Sequence, residues 1–179
     1  MIRILLAILW LGLLGACASV TVEDYRDAEP TLRLETFFQG ALSAHGVVKN
    51  RSGRVIRTFN AEIEASWKGD TGTLVEDFVF DDGEEQRRVW TLRRNGEGSY
   101  SGTAGDVVGE AELALAGNSL FLDYVLRVPY GDSSIDLRVD DRMYLVSPSV
   151  LINESVMSKF GVQVGSLLLV IQRHAPDAS

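Results

Sequence analysis

In the stretch RVIRTFNAEIEASW (54–67), apolar and polar residues take turns. Val55, Phe59, Ala61, Ile63, Ala65 and Trp67 fall on one face, and Arg54, Thr58, Asn60, Glu62, Glu64 and Ser66 on the other. A period of two residues is that of a β-strand with one buried and one wetted face, as in an antiparallel sheet. Arg57 alone breaks the rule by standing on the apolar face. Similar runs, rich in Val, Ile, Phe, Tyr and Thr, fill most of the chain after Gly40. Turn signals separate them: NRSG (50–53), KGD (68–70), DDG (81–83), NGEG (95–98), AGN (116–118) and YGD (130–132). This spacing is that of consecutive strands joined by hairpins. No long helical period and no internal repeat is visible.

A row of such strands leaves two open edges unless the sheet closes on itself. The pattern therefore predicts an all-β protein, an antiparallel, lipocalin-like up-and-down barrel of about 8–10 strands, with a two-sheet β-sandwich as the alternative. The likeness is one of architecture. The lipocalin Gly-x-Trp signature is absent from the first strand, GALSAHG (40–46). Ahead of it, TLRLETFFQG (31–40) reads as a short turn of helix that places Phe37 and Phe38 in one end of the core.

Residues 1–16, MIRILLAILWLGLLGA, follow another pattern: one cation, Arg3, then an unbroken apolar run. The run is short for a membrane span and of the right length for the apolar part of a signal peptide. Small residues Gly15 and Ala16 precede Cys17, the only cysteine in the chain. Leu14-Gly15-Ala16-Cys17 resembles the lipobox of bacterial lipoproteins, where the cysteine sulfur is acylated and the chain is cut just before it. That resemblance implies lipidation at Cys17, and Ala18 in place of Asp implies delivery to the outer membrane, on its periplasmic face. The division expected is signal peptide 1–16, lipid tether 17–30, barrel 31–174 and tail 175–179. The membrane is then a partner through the lipid anchor. SLLLVI (166–171) is too short to span and reads as a buried strand.

Composition narrows the function classes. The chain of 179 residues carries a formal net charge of −8 and no block of Lys and Arg, so no nucleic-acid partner is expected. It has no Gly-x-Ser-x-Gly elbow, phosphate-binding loop, His-Glu-x-x-His or Cys-x-x-Cys. Of its two histidines, His45 lies in a predicted strand and His174 in the tail. Neither a cofactor nor a metal site is expected, and no catalytic residue can be assigned. Asp140 and Asp141 are neighbours in a strand, so at most one of them faces the interior. NES (153–155) fits a glycosylation sequon, which has no meaning in a bacterial lipoprotein.

Aromatic residues, among them Trp67, Trp90, Tyr100, Phe121, Tyr124, Tyr130 and Tyr144, are spread over many strands. On inward positions they either fill the core or line a pocket. The candidate ligand-lining set is Trp67, Glu76, Arg88, Trp90 and Tyr124. Its polar members come from the hairpin LVEDFVFDDGEEQRRVWTL (74–92). Leu74, Phe78 and Phe80 mark the inner face of its first strand and carry Glu76 with them; Trp90 and Leu92 mark that of the second and carry Arg88. The faces agree if Asp81-Asp82-Gly83 is a three-residue loop, a type I turn followed by a left-handed glycine. Glu76 then stands opposite Arg88 and Leu74 opposite Trp90, and an inward Glu76–Arg88 hydrogen-bonded pair follows. A two-residue Asp82-Gly83 turn would pair Asp77 with Arg88 instead.

LRLETFFQGALSAHGVVKNRSGRVIRTF (32–59), LVEDFVFDDGEEQRRVWTL (74–92), YSGTAGDVVGEA (100–111) and MSKFGVQVG (157–165) together resemble the bacterial lipoproteins grouped as domain-of-unknown-function family 3833. An aromatic residue is usual in that family at the positions of His45 and Arg142, where this chain departs. The family brings no activity with it. Its genes often neighbour ones resembling cyclopropane-fatty-acid synthases, which implies a part in envelope lipid metabolism. Three readings follow: a barrel that binds a small apolar, lipid-like or fatty-acid-like ligand; an envelope assembly protein with a solid barrel; and an enzyme acting on a lipid-like substrate, with Glu76, Arg88 and Asp106 the residues to replace first. An interior cavity above about 300 Å³ would favour ligand or substrate, and none at all the assembly protein.

Overall fold

The computed structural model describes residues 19–175; the expected signal peptide and Cys17 lie outside the described residues. The alternating runs form ten strands: β1 (Gly40–Asn50), β2 (Val55–Lys68), β3 (Thr71–Phe80), β4 (Glu85–Gly96), β5 (Ser99–Thr103), β6 (Ala111–Ala116), β7 (Ser119–Tyr130), β8 (Ser133–Ser147), β9 (Val150–Lys159) and β10 (Val162–Arg173). Each pairs with the next in the chain, and β1 closes the ring against β10, with Ala44 opposite Ile171. The all-β, up-and-down barrel is therefore the fold, and the sandwich is excluded because no sheet edge remains open.

The period of two decides what fills the barrel. Along β2, Phe59, Ala61, Ile63 and Ala65 are buried while the residues between them are exposed. Arg57 keeps its inward parity but lies at the end of the barrel. Its guanidinium stacks 3.6 Å above the Phe80 ring and reaches Asp82 and Glu84 at 2.8 and 2.7 Å. A cation on the apolar face is thus tolerated where its head can leave the core. SLLLVI lies in β10 and is buried only at alternate positions: Ile171 is inside, while Leu168 and Val170 are on the exposed face. An unbroken apolar run does not make a strand buried on both faces in a single-layered barrel.

One end of the barrel is plugged. Helix α1 (Leu34–Phe37) crosses it and places Leu32, Leu34, Phe37 and Phe38 in the core, the two phenyl rings meeting edge to face at 5.1 Å. The segment before the plug does not behave as a free tether over 19–30. A 3-10 turn at Val22–Tyr25 lies on the outside of the barrel, with Val22 buried and the Tyr25 ring 5.8 Å from Phe121 and 5.4 Å from Tyr144. Apolar residues spaced through an acidic stretch hold it to the wall.

Candidate functional site

The hairpin β3–β4 sets the site. Phe80 accepts from and donates to the far side of a three-residue loop: its N–H reaches the Glu84 carbonyl at 2.9 Å, and Gly83 N–H reaches the Phe80 carbonyl at 3.0 Å. Gly83 takes φ +84°, the left-handed conformation that a side chain resists. The loop fixes the register, with Glu76 opposite Arg88, Leu74 opposite Trp90 and Phe78 opposite Gln86. All of this matches the three-residue reading.

The side chains depart from it in one respect. The nearest approach of Arg88 to Glu76 is 3.9 Å, Nη1 to Oε2, which is an ion pair beyond hydrogen-bonding range. Arg88 hydrogen-bonds Asp106 instead: Nε donates to Oδ2 at 2.9 Å and Nη2 to the same oxygen at 2.6 Å. Asp106 stands on the segment joining β5 to β6, where the two shortest strands of the wall meet. That segment is held to β7 by Val108 N–H to the Val125 carbonyl and Arg127 N–H to the Asp106 carbonyl, both 2.8 Å. A loop carboxylate can turn its plane into the guanidinium fork, whereas Glu76 is held by its strand.

Arg88 and Glu76 open onto a cavity of about 120 Å³ within the barrel. Its apolar wall includes Phe59, Phe78, Trp90 and Leu169, and its polar wall is Glu76, Arg88, Tyr124, Asp141, Asn153 and Ser155. Tyr124 meets Trp90 edge to face at 5.7 Å. Trp67 is absent from the lining. It lies toward the plugged end, 6.2 Å from Tyr100, and its ring covers Gly72, where a Cβ would stand 2.6 Å from it. The inward parity of Trp67 was legible; its distance along the barrel axis from the cavity was not.

Asp141, Asn153 and Ser155 complete the polar wall, and sequence reasoning assigned them no role. Asp141 is the inward member of the Asp140–Asp141 pair. Asn153 and Ser155, from the NES triplet, both donate to its Oδ1, Ser155 at 3.0 Å. Asn153 gives its amide also to the Arg142 carbonyl at 3.1 Å. The available signal was parity: Asn153 and Ser155 share the inward face of Leu151 along β9, as Asp141 shares that of Val139 and Met143 along β8. The departing residues His45 and Arg142 both lie on the outer face, His45 Nδ1 2.6 Å from Asn60 and Arg142 paired with Asp140 at 3.0 Å.

Burial dominates the protonation of this chamber. It pushes the Glu76 carboxyl up to about 7, against the pull of the Arg88 charge and with some help from Asp106 and Asp141. It pushes Asp141 up to about 6, although the hydrogen bonds from Asn153 and Ser155 favour its charged form. Tyr124 is raised well above the ordinary phenol range, by burial first and then by the Asp141 charge. Burial works against the Arg88 charge, but the carboxylates of Glu76 and Asp106 outweigh it. Among the described residues, no group of three or more His, Cys, Asp or Glu side chains is arranged to hold a metal ion.

Solved structures share the architecture. The S-type phycobiliprotein lyase CPES from Guillardia theta is 12% identical, with a TM-score of 0.58 over 88% of this chain and 100% of its own. Rv2717c from M. tuberculosis is 16% identical, with a TM-score of 0.55 over 82% of this chain and 98% of its own. At these identities the likeness is one of fold. No curated protein matches the sequence. The blocks that resembled a lipoprotein family are part of a match running from residue 11 to residue 173, and the chain belongs to the family described as "Protein of unknown function (DUF3833)".

Proposed function

We propose that the protein is a lipoprotein, anchored through Cys17 to the periplasmic face of the outer membrane, whose barrel binds a small apolar or lipid-like molecule. The observation that carries the ligand is the cavity itself: an apolar, aromatic wall with one polar cluster, the make-up of a small-molecule site. Its volume of about 120 Å³ is below the roughly 300–1,000 Å³ of drug-sized pockets. The molecule is therefore slim, with its polar end in the chamber and its apolar part among Phe59, Phe78 and Leu169.

Native mass spectrometry of the full chain purified from its own host tests this reading. A co-purifying small molecule supports it; an empty barrel that also takes up no small amphiphile added afterwards refutes it. The anchor rests on Leu14-Gly15-Ala16-Cys17, and replacing Cys17 with Ser should release the protein from the outer-membrane fraction at high salt. Retention of that variant would put the anchor elsewhere.

One observation favours a second reading, an enzyme acting on a lipid-like molecule. Glu76 is a buried acid in the cavity, poised near neutral pH by its surroundings, as a general acid or base requires. Recovery of the bound molecule chemically altered by the native chain, and unaltered by Glu76→Gln, would support it.

A further inference from the structure

The hydrogen-bonding capacity of the chamber is lopsided. Arg88 is its one cation, and Asp106 already neutralises it through both Nε and Nη2. Glu76 shares that cation at 3.9 Å and Asp141 has none of its own, so three carboxylates stand against one guanidinium. Glu76 accepts no hydrogen bond among the described residues, although its side chain is only 13% exposed. Asp141 receives Asn153 and Ser155 on one oxygen, which leaves the other oxygen open. Asn153 spends its amide donors on Asp141 and the Arg142 carbonyl, so its own carbonyl oxygen remains as an acceptor. The chamber offers a surplus of acceptors and negative charge.

The wall adds an independent observation. Phe59, Phe78, Trp90 and Tyr124 line the same cavity. Aromatic faces attract a cation, most strongly where water is excluded. A ligand carboxylate would meet an arginine whose single charge is already outnumbered by Glu76, Asp106 and Asp141; an ammonium would meet that surplus of negative charge and the aromatic rings.

Resting on the ligand-binding reading above, we infer that the polar end of the ligand is an ammonium group held between Glu76 and Asp141, and that the barrel selects alkylamines over fatty acids. The titratable and charged groups facing that position are Glu76 from β3, Arg88 from β4, Asp106 from the β5–β6 segment, Tyr124 from β7 and Asp141 from β8. In the empty barrel a proton on Glu76 relieves a buried charge that Arg88, shared with Asp106, offsets only in part. Binding of an ammonium releases that proton to solvent, so affinity rises with pH from about 5 to about 8.

Three probes with the same chain separate headgroup from cavity: hexylammonium, 1-hexanol and hexanoate, titrated calorimetrically into the full-length protein at pH 7.5. Hexylammonium should bind about tenfold more tightly than hexanol, and hexanoate most weakly of the three. Glu76→Gln should abolish the advantage of hexylammonium over hexanol, with the circular dichroism spectrum and cooperative melting of the variant showing that it is folded. At pH 5 that advantage should also shrink about tenfold. Tighter binding of hexanoate than of hexylammonium, or an unchanged preference in Glu76→Gln, would overturn the ammonium assignment and leave the ligand-binding barrel standing. Binding of none of the three would overturn both.

Discussion

The inward positions near the plug carry Leu34, Phe37, Leu42, Leu120 and Leu151, each 3% exposed or less. Midway along the same barrel, inward positions carry Glu76, Arg88 and Asp141, alternating with Leu74, Trp90 and Met143. Outside the helix the backbone geometry is the same in both regions, so along the strands the difference lies in what the side chains cost to bury. Apolar burial near the plug stabilises the fold at roughly 25 cal/mol per Å². The chamber gives up part of that gain, because a carboxyl out of water must be paired, bonded or protonated. Surface ion pairs such as Asp77–Arg87 at 3.1 Å carry no such cost and contribute little. Apolar burial is concentrated at one end of the barrel and buried charge in its middle.

The sharpest way to break that division is at the plug. Phe37→Ala should cost about 3–5 kcal/mol in a chemical denaturation curve, the range for a large buried aromatic. A loss below about 1 kcal/mol would mean that the plug is dispensable and that the barrel wall alone holds the core.

Arg88→Ala should come next, at about 3 kcal/mol by the same measurement. It leaves Asp106 and Glu76 without their shared cation in a region where Arg88 itself is 19% exposed. Arg88→Met combined with Asp106→Leu should recover most of the loss, because the pair is then replaced by apolar volume. Failure of the double variant to recover would place the role of Arg88 in packing.

The pH dependence of the empty protein separates the regions further. Glu76 and Asp141 have folded-state values raised above their unfolded ones, so their contribution is fully present below about pH 4 and is lost as pH rises. For Asp141 the loss runs from 3.8 to about 6, and for Glu76 from 4.5 to about 7. The Glu76 interval corresponds to about 3 kcal/mol by pH 8. Glu76→Gln should remove that part of the slope and melt at a higher temperature than the parent at pH 8, with near equality at pH 4. Parallel melting curves across that range would show that Glu76 is solvated in the folded protein.

The smallest effect tests how the chamber is aligned. Gly83→Ala should cost about 1–2 kcal/mol, because φ +84° is retained only under strain. The cross-strand contacts between Glu76 and Arg88 should persist in nuclear Overhauser spectra. A shift to the Asp77–Arg88 register would show that the turn, and not the apolar face, dictates the pairing.

Several features were legible because they depend on neighbours in sequence. Alternation in 54–67, the turn chemistry of Asp81-Asp82-Gly83 and the pairing of Glu76 with Arg88 are short-range consequences of pleat and loop length. The plug formed by Phe37 and Phe38 was legible from a short run of helix-compatible apolar residues. Trp67 was misplaced relative to the cavity because parity gives the face of a residue and says nothing about its height along the barrel. The acidic stretch 19–30 concealed Val22 and Tyr25, whose docking sites on β6, β7 and β8 are far away in sequence.

The amino-acid sequence by itself determined that the chain is a succession of antiparallel strands, which faces of 54–67 and 74–92 point inward, and the register that a three-residue Asp81-Asp82-Gly83 loop imposes, because these follow from a period of two and from local turn geometry. Only the tertiary structure decided that Arg88 is held by Asp106, that Asp141, Asn153 and Ser155 share a chamber with Glu76, and that this chamber is small. Those facts depend on how far each strand is staggered around the closed ring. Stagger is set by the summed packing of all ten strands, and no single stretch of sequence encodes it.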